Sequence, residues 1–174
     1  MLVVLVAGCE MRPHGQHEAR RDAGPPMLYD NLGSYRQKIT TASPTAQAYF
    51  DQGLRLVYGF NHWEAQRAFR EAARLDPSCA MCYWGVALTY GSNYNSPTDR
   101  EREQGAYEAV QQASRLASGA TPRERATIEA LARRHSADPK ADRAALDRAY
   151  ADAMREVTRR FPTIRTRPRS SRMR

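Results

Sequence analysis

Residues 48–77 read AYFDQGLRLVYGFNHWEAQRAFREAARLDP, and their spacing decides the fold. Apolar side chains recur every three or four positions, as on the buried face of a helix. The pattern breaks at Gly59-Phe60-Asn61 and resumes until Asp76-Pro77. Proline disfavours helical backbone in the residue before it, so the second helix ends there. Gly53 sits inside the first helix, where it costs about 1 kcal/mol against alanine. Close approach of a neighbouring helix offsets that cost. The stretch is a pair of antiparallel helices, the backbones nearing each other at Gly53 and Ala65, with Phe69 filling the space beyond.

Working outward, Ser43-Pro44 opens the first helix with a capping hydroxyl and a proline at the first helical position. A third helix is predicted over residues 79–90 and a fourth over about 100–116, with GSNYNSP as a loop between them. Thr121-Pro122 with Glu124 opens a fifth helix ending near His135. Asp138-Pro139 opens a sixth that reaches about Phe161. No segment alternates with a period of two, so no strand is predicted. The class is all-α.

Self-similarity follows from this punctuation. Tyr49, Gly53, Leu56, Ala65, Phe69, Ala72 and Pro77 stand at the spacing of the tetratricopeptide repeat (TPR), which the stretch 46–77 resembles. Tyr83, Val86, Ala87 and Tyr90, then Ala106, Val110 and Ala113, give a second unit whose two helices are separated by the inserted loop. Residues 122–161 give a weaker third, through Ile128, Leu131, Leu146, Tyr150, Met154, Val157 and Phe161. The resemblance implies antiparallel hairpins stacked as a right-handed solenoid of about 2.5 repeats over residues 44–161. It also implies a concave groove that binds a peptide or helix of a partner protein. The groove positions carried over are Gln47, Phe50, Leu54, Val57 and Tyr58 in the first unit, and Met81, Trp84 and Leu88 in the second. Each of these has a competing reading as ordinary core.

Mean hydropathy is −0.73, which excludes a multi-spanning membrane protein. The N-terminus, MLVVLVAGCEM, is a short apolar run ending in Val6-Ala7-Gly8-Cys9. It resembles a bacterial lipobox, with Cys9 as the lipidated residue and residues 1–9 as the signal segment. The run is too short to span a bilayer. It lacks the positive n-region of a secretory signal, so the natural start is expected upstream of Met1. Residues 10–43, punctuated by proline and glycine, read as a flexible tether or extended arm. The expected place is the cell envelope, attached to the membrane only through the lipid, with the cytoplasm as the alternative.

The net charge of +8 is local, since Arg155, Arg159, Arg160, Arg165, Arg167, Arg169, Arg172 and Arg174 stand against Glu156 alone. The rest of the chain is nearly neutral, so no nucleic-acid partner is expected. An RNA-binding arginine tail is the alternative. For residues 162–174, codons can be chosen so that another reading frame gives an inter-repeat Asp-Pro and the start of a further helix. The tail is therefore expected to be a frameshifted end on an N-terminal fragment of a longer protein. A stack cut in this way would leave an apolar face open on the sixth helix, favouring marginal stability or self-association.

Cys79 and Cys82 form the one constellation with chemical potential. They could begin a metal site, with His62 and His135 as the remaining nitrogen donors for a four-ligand zinc. They could be a redox pair, since Cys79 stands at a helix start, although the strand–helix–strand context of a thioredoxin is missing. The plainer reading is two small buried residues, joined as a disulfide if the protein is exported. His62 could serve as an acid–base group, or could cap the second helix. No catalytic triad, phosphate-cradling loop or paired-carboxylate cleft is visible, and no cofactor is implied. The reading is a non-enzymatic scaffold, with a thiol- or metal-dependent activity at Cys79, Cys82 and His62 as the alternative.

Overall fold

The structure is a computed structural model that describes residues 24–91 and 99–162. Within them the chain is all-helical, with α1 Pro44–Tyr58, α2 His62–Leu75, α3 Ala80–Tyr90, α4 Arg100–Leu116, α5 Pro122–Ala132 and α6 Arg143–Arg160. A short 3-10 turn, Ala117–Gly119, follows α4.

Each helix begins on a side chain that satisfies an otherwise orphaned backbone N–H. Ser43 accepts from Ala46, Asp99 from Arg102, and Asp142 from Ala144 and Ala145. Thr121 and Glu124 form a reciprocal capping box at α5. Two boundaries differ from expectation. Helix α5 stops at Ala132, and α6 starts at Arg143 because Asp142 caps it; Asp138 instead accepts from Lys140 N–H in a local turn. Asn61, not His62, caps α2, its side chain accepting from Glu64 N–H at 3.3 Å.

Consecutive helices pack against each other along the chain, and α1, α3 and α5 also touch in sequence. One hydrophobic core runs through this arrangement. Its centre is the Phe69 ring. A Cβ on Gly53 of α1 would lie 2.6 Å from that ring and one on Gly85 of α3 would lie 2.3 Å from it, both inside van der Waals contact. Phe69 therefore spans three helices, and the two glycines are what lets the backbones close on it. Gly53, Ala65, Phe69 and Ala72 are all buried. Phe50 meets Phe69 edge-on at 5.4 Å. A second, smaller cluster of Ala126, Ala130 and Val157 holds α6 against α5.

No large hydrophobic residue of α6 is exposed. The expected open apolar face on this helix is therefore not found. Its outward side carries Arg148, Asp152, Arg155, Glu156 and Arg159, with ion pairs Asp152–Arg155 and Glu156–Arg159. These are groups that water solvates well.

Candidate functional site

Residues 24–43, expected as a flexible tether or extended arm, lie against the helices. The reason is in α1, where Asp51 and Gln52 are 2% and 0% exposed. Buried polar side chains need hydrogen-bond partners, and the preceding segment supplies them in two limbs. In the first, Gln52 Oε1 accepts from Tyr29 N–H at 2.8 Å while its Nε2 donates to Met27 C=O at 2.9 Å. Tyr49 OH donates to Pro26 C=O at 2.8 Å. The chain then turns through Gly33, whose φ of 81° is a left-handed conformation that glycine adopts without a Cβ clash. Arg55 donates to the carbonyls of Gly33 and Tyr35.

The second limb returns over Gln47, Asp51 and Tyr58. The Tyr35 ring meets Tyr58 edge-on at 5.4 Å. Gln37 N–H donates to Asp51 Oδ1 at 2.9 Å. Gln47 repeats the two-point grip of Gln52, accepting from Ile39 N–H at 3.0 Å and donating to Gln37 C=O at 2.9 Å. Ile39 enters the core. Thr40 reaches α5, its N–H and hydroxyl donating to Glu124 at 2.7 and 2.6 Å. Thr41 Oγ1 donates to Asp76 Oδ2 at 2.5 Å. The limb thus crosses from α1 to the start of α5 as extended chain, gripped mostly by its backbone.

Burial pushes the Glu124 carboxyl upward, but the bonds from Thr40 and Thr121 outweigh it and hold it below the ordinary glutamate value. Asp76 behaves alike, with Ser78 and Thr41 overcoming burial. Burial pushes the Tyr58 phenol up, and its hydrogen bond with Tyr35 adds to this.

The eight groove positions separate under this geometry. Gln47 and Tyr58 touch the docked limb. Phe50, Leu54, Met81 and Trp84 are core, and Val57 and Leu88 pack half-buried against it. Those six pack within the chain, against neighbouring helices. Asp51 and Gln52 were not singled out from sequence, and Asp76 and Glu124 were read only as helix boundaries. The available signal was polar residues at buried helix positions, and Gly85 carried no repeat signature at all.

The sulfurs of Cys79 and Cys82 are joined as a disulfide. Both residues are buried, and Cys79 Sγ also accepts from Cys82 N–H at the start of α3. His62 starts α2, a helix length of roughly 20 Å from the turn that holds Cys79. Burial lowers its pKa and the nearby Arg102 charge adds to the effect. His135 lies toward the same end as His62, its Nδ1 3.2 Å from Glu103 Oε1. Burial pushes its pKa down against the pull of Glu103. The thiol–histidine constellation is therefore not assembled. Among the described residues no group of three or more His, Cys, Asp or Glu could hold a metal ion.

At the His135 end, Arg143 bonds both Glu103 and the Arg134 carbonyl, beside an open cleft of about 440 Å³ whose walls include Asp99, Ser136 and Asp138. Its charges are of both signs and largely paired, so it serves to lock α6 to α4. Arg155 and Arg159 are ion-paired along α6, and Arg160 lies over the Phe161 ring. Cys9 and the arginines from Arg165 onward lie outside the described residues. No protein family, curated protein or solved structure matches the chain.

Proposed function

We propose that the chain is a non-enzymatic scaffold of tetratricopeptide type. Its α1–α3–α5 face holds an extended segment of a partner protein, and lipid at Cys9 anchors it in the cell envelope. The observation that carries this reading is the course of residues 35–41, an extended segment running from α1 to α5 with its backbone gripped by Gln47, Asp51 and Glu124. Peptide-binding modules of this kind take affinity from main-chain hydrogen bonds. The order of helix contacts, with each hairpin followed by its neighbour and odd-numbered helices in a row, supports the repeat architecture. The helix-length distance between His62 and the buried disulfide argues against the thiol- or metal-dependent alternative.

The test is a fluorescence-anisotropy survey of unrelated extended peptides against the purified full chain. Saturable binding of a subset, lost in Gln47→Ala, is expected. Binding that is equal in wild type and Gln47→Ala would overturn the reading.

A further inference from the structure

Three carboxylates share one track and are buried there. Asp51, Asp76 and Glu124 come from α1, the α2–α3 turn and α5, and each has 9% exposure or less. Within the helical part, Ser78 serves Asp76, Thr121 serves Glu124 and Gln47 serves Asp51. Their other partners all come from the docked segment, namely Gln37 N–H for Asp51, Thr40 for Glu124 and Thr41 for Asp76.

The segment matches the track in charge as well as in shape. Arg36 Nε lies 3.5 Å from Asp51 Oδ2, and Lys38 follows two residues later. Ile39 is the limb's buried anchor at 4% exposure, while Arg36 and Lys38 stay exposed. Gln47 does the main-chain reading. Its carboxamide takes the C=O of Gln37 and the N–H of Ile39, the two groups that a neighbouring parallel strand would take from one side of an extended chain. Side-chain identity matters at the apolar anchor and in the surrounding charge; the rest is backbone.

We propose that residues 35–41 are an internal ligand that keeps this site closed. The site itself receives an extended, basic segment of another protein with one apolar anchor, which must displace the arm to enter. The inference rests on the peptide-scaffold reading and names the ligand class and the regulation of that same face. A tethered arm competes at an effective concentration in the millimolar range for a short linker, so a modest loosening of the arm opens the site.

The probe is a fluorescein-labelled peptide of residues 33–43, titrated into the full chain with anisotropy as readout. Wild type is expected to bind it weakly. The Thr40→Ala/Thr41→Ala variant, which loosens the arm without touching the core, is expected to bind it at least tenfold more tightly. A second opened variant, Arg36→Glu/Lys38→Glu, changes only exposed residues and guards against a folding defect in the first. Adding Gln47→Ala to either should remove the gain. N-methylation of the peptide at the position of Ile39 should cost at least tenfold, and at Lys38 much less. Raising the salt concentration should weaken binding by the opened variants.

Equal affinity in wild type and both opened variants would overturn the proposal, as would indifference to N-methylation at Ile39. If unrelated peptides bind wild type while the arm peptide binds neither opened variant, the internal-ligand inference falls and the scaffold reading stands. If nothing binds any form, both fall.

Discussion

Phe69 and Val157 hold comparable places, each on the second helix of a hairpin and each facing the first. Phe69 is fully buried, with its ring against Gly53, Gly85 and Phe50 from two other helices. Val157 is the only buried residue of α6 and meets alanines and the edges of half-buried side chains. What else fastens α6 is polar: Arg134 with Asp147, Arg143 with Glu103 and Asp147, and Arg134 over the Tyr150 ring. One end of the molecule is cemented by an aromatic ring seated between glycines, the other by partly exposed charge. Burial of a large ring is worth several kcal/mol, whereas exposed ion pairs are worth about 0–1 kcal/mol each. The two ends should therefore differ in how firmly they hold, although the same hairpin plan builds both.

The sharpest way to break this contrast is Phe69→Ala. Removing the ring is expected to cost about 3–5 kcal/mol, the range for phenylalanine truncation in a core, read as a shift of the urea midpoint at unchanged slope. A loss below about 1 kcal/mol would mean that the ring is not the keystone. Next is Gly85→Ala, where helix propensity alone predicts a gain of about 1 kcal/mol. The new methyl would meet the buried Phe69 ring, so a net loss of about 1–3 kcal/mol from overpacking is expected instead. A stabilised variant would show that the ring has room to move. Val157→Ala tests the other end. It removes roughly two methylenes' worth of burial, about 1–2 kcal/mol. Faster amide exchange confined to residues 143–160 is expected, with α1–α3 unaffected. Exchange rising throughout would mean that α6 is cooperative with the rest.

The same contrast explains what could be read in advance. The first hairpin was legible because its determinants are local: glycine, alanine and phenylalanine at fixed intervals, with Ser43-Pro44 and Asp76-Pro77 as brackets. The start of α6 was not, because Asp138-Pro139 and Asp142 offer equally good openings and the choice follows from what the loop between them touches. The docked arm was the largest omission. Its grip is side chain to backbone, and a backbone has the same groups in any sequence, so Pro25-Pro26 and Gly33 look alike in a free tether and a seated strap. The repeat register pointed to a face that includes Gln47 and Tyr58, and gave no sign that the chain's own arm lies against both. The disulfide was legible as one option, from two cysteines three apart at a helix start.

The smallest expected effect concerns Glu124, the residue through which the two ends communicate, since it caps α5 and also receives Thr40. Its pKa is held below the ordinary 4.5, because the hydrogen bonds to its charged form outweigh burial. The folded state thus binds the proton less readily than the unfolded chain. The stabilisation is complete above about pH 4.5 and is lost as pH falls through the lower folded value. Asp76, depressed for the same kind of reason, adds to the loss in acid. Glu124→Gln keeps the shape but replaces one acceptor oxygen by a donor that faces Thr40 or Thr121. An expected cost of about 1–2 kcal/mol at neutral pH, in the range for hydrogen bonds to a charged group, should shrink as the wild type is acidified, until the two urea midpoints converge. Parallel pH profiles would refute the assignment. Faster exchange of the Thr40 amide in Glu124→Gln, with Phe69 and its neighbours unchanged, would localise the effect to the strap, because the carboxylate touches the arm and the α5 cap but has no part in the aromatic–glycine core.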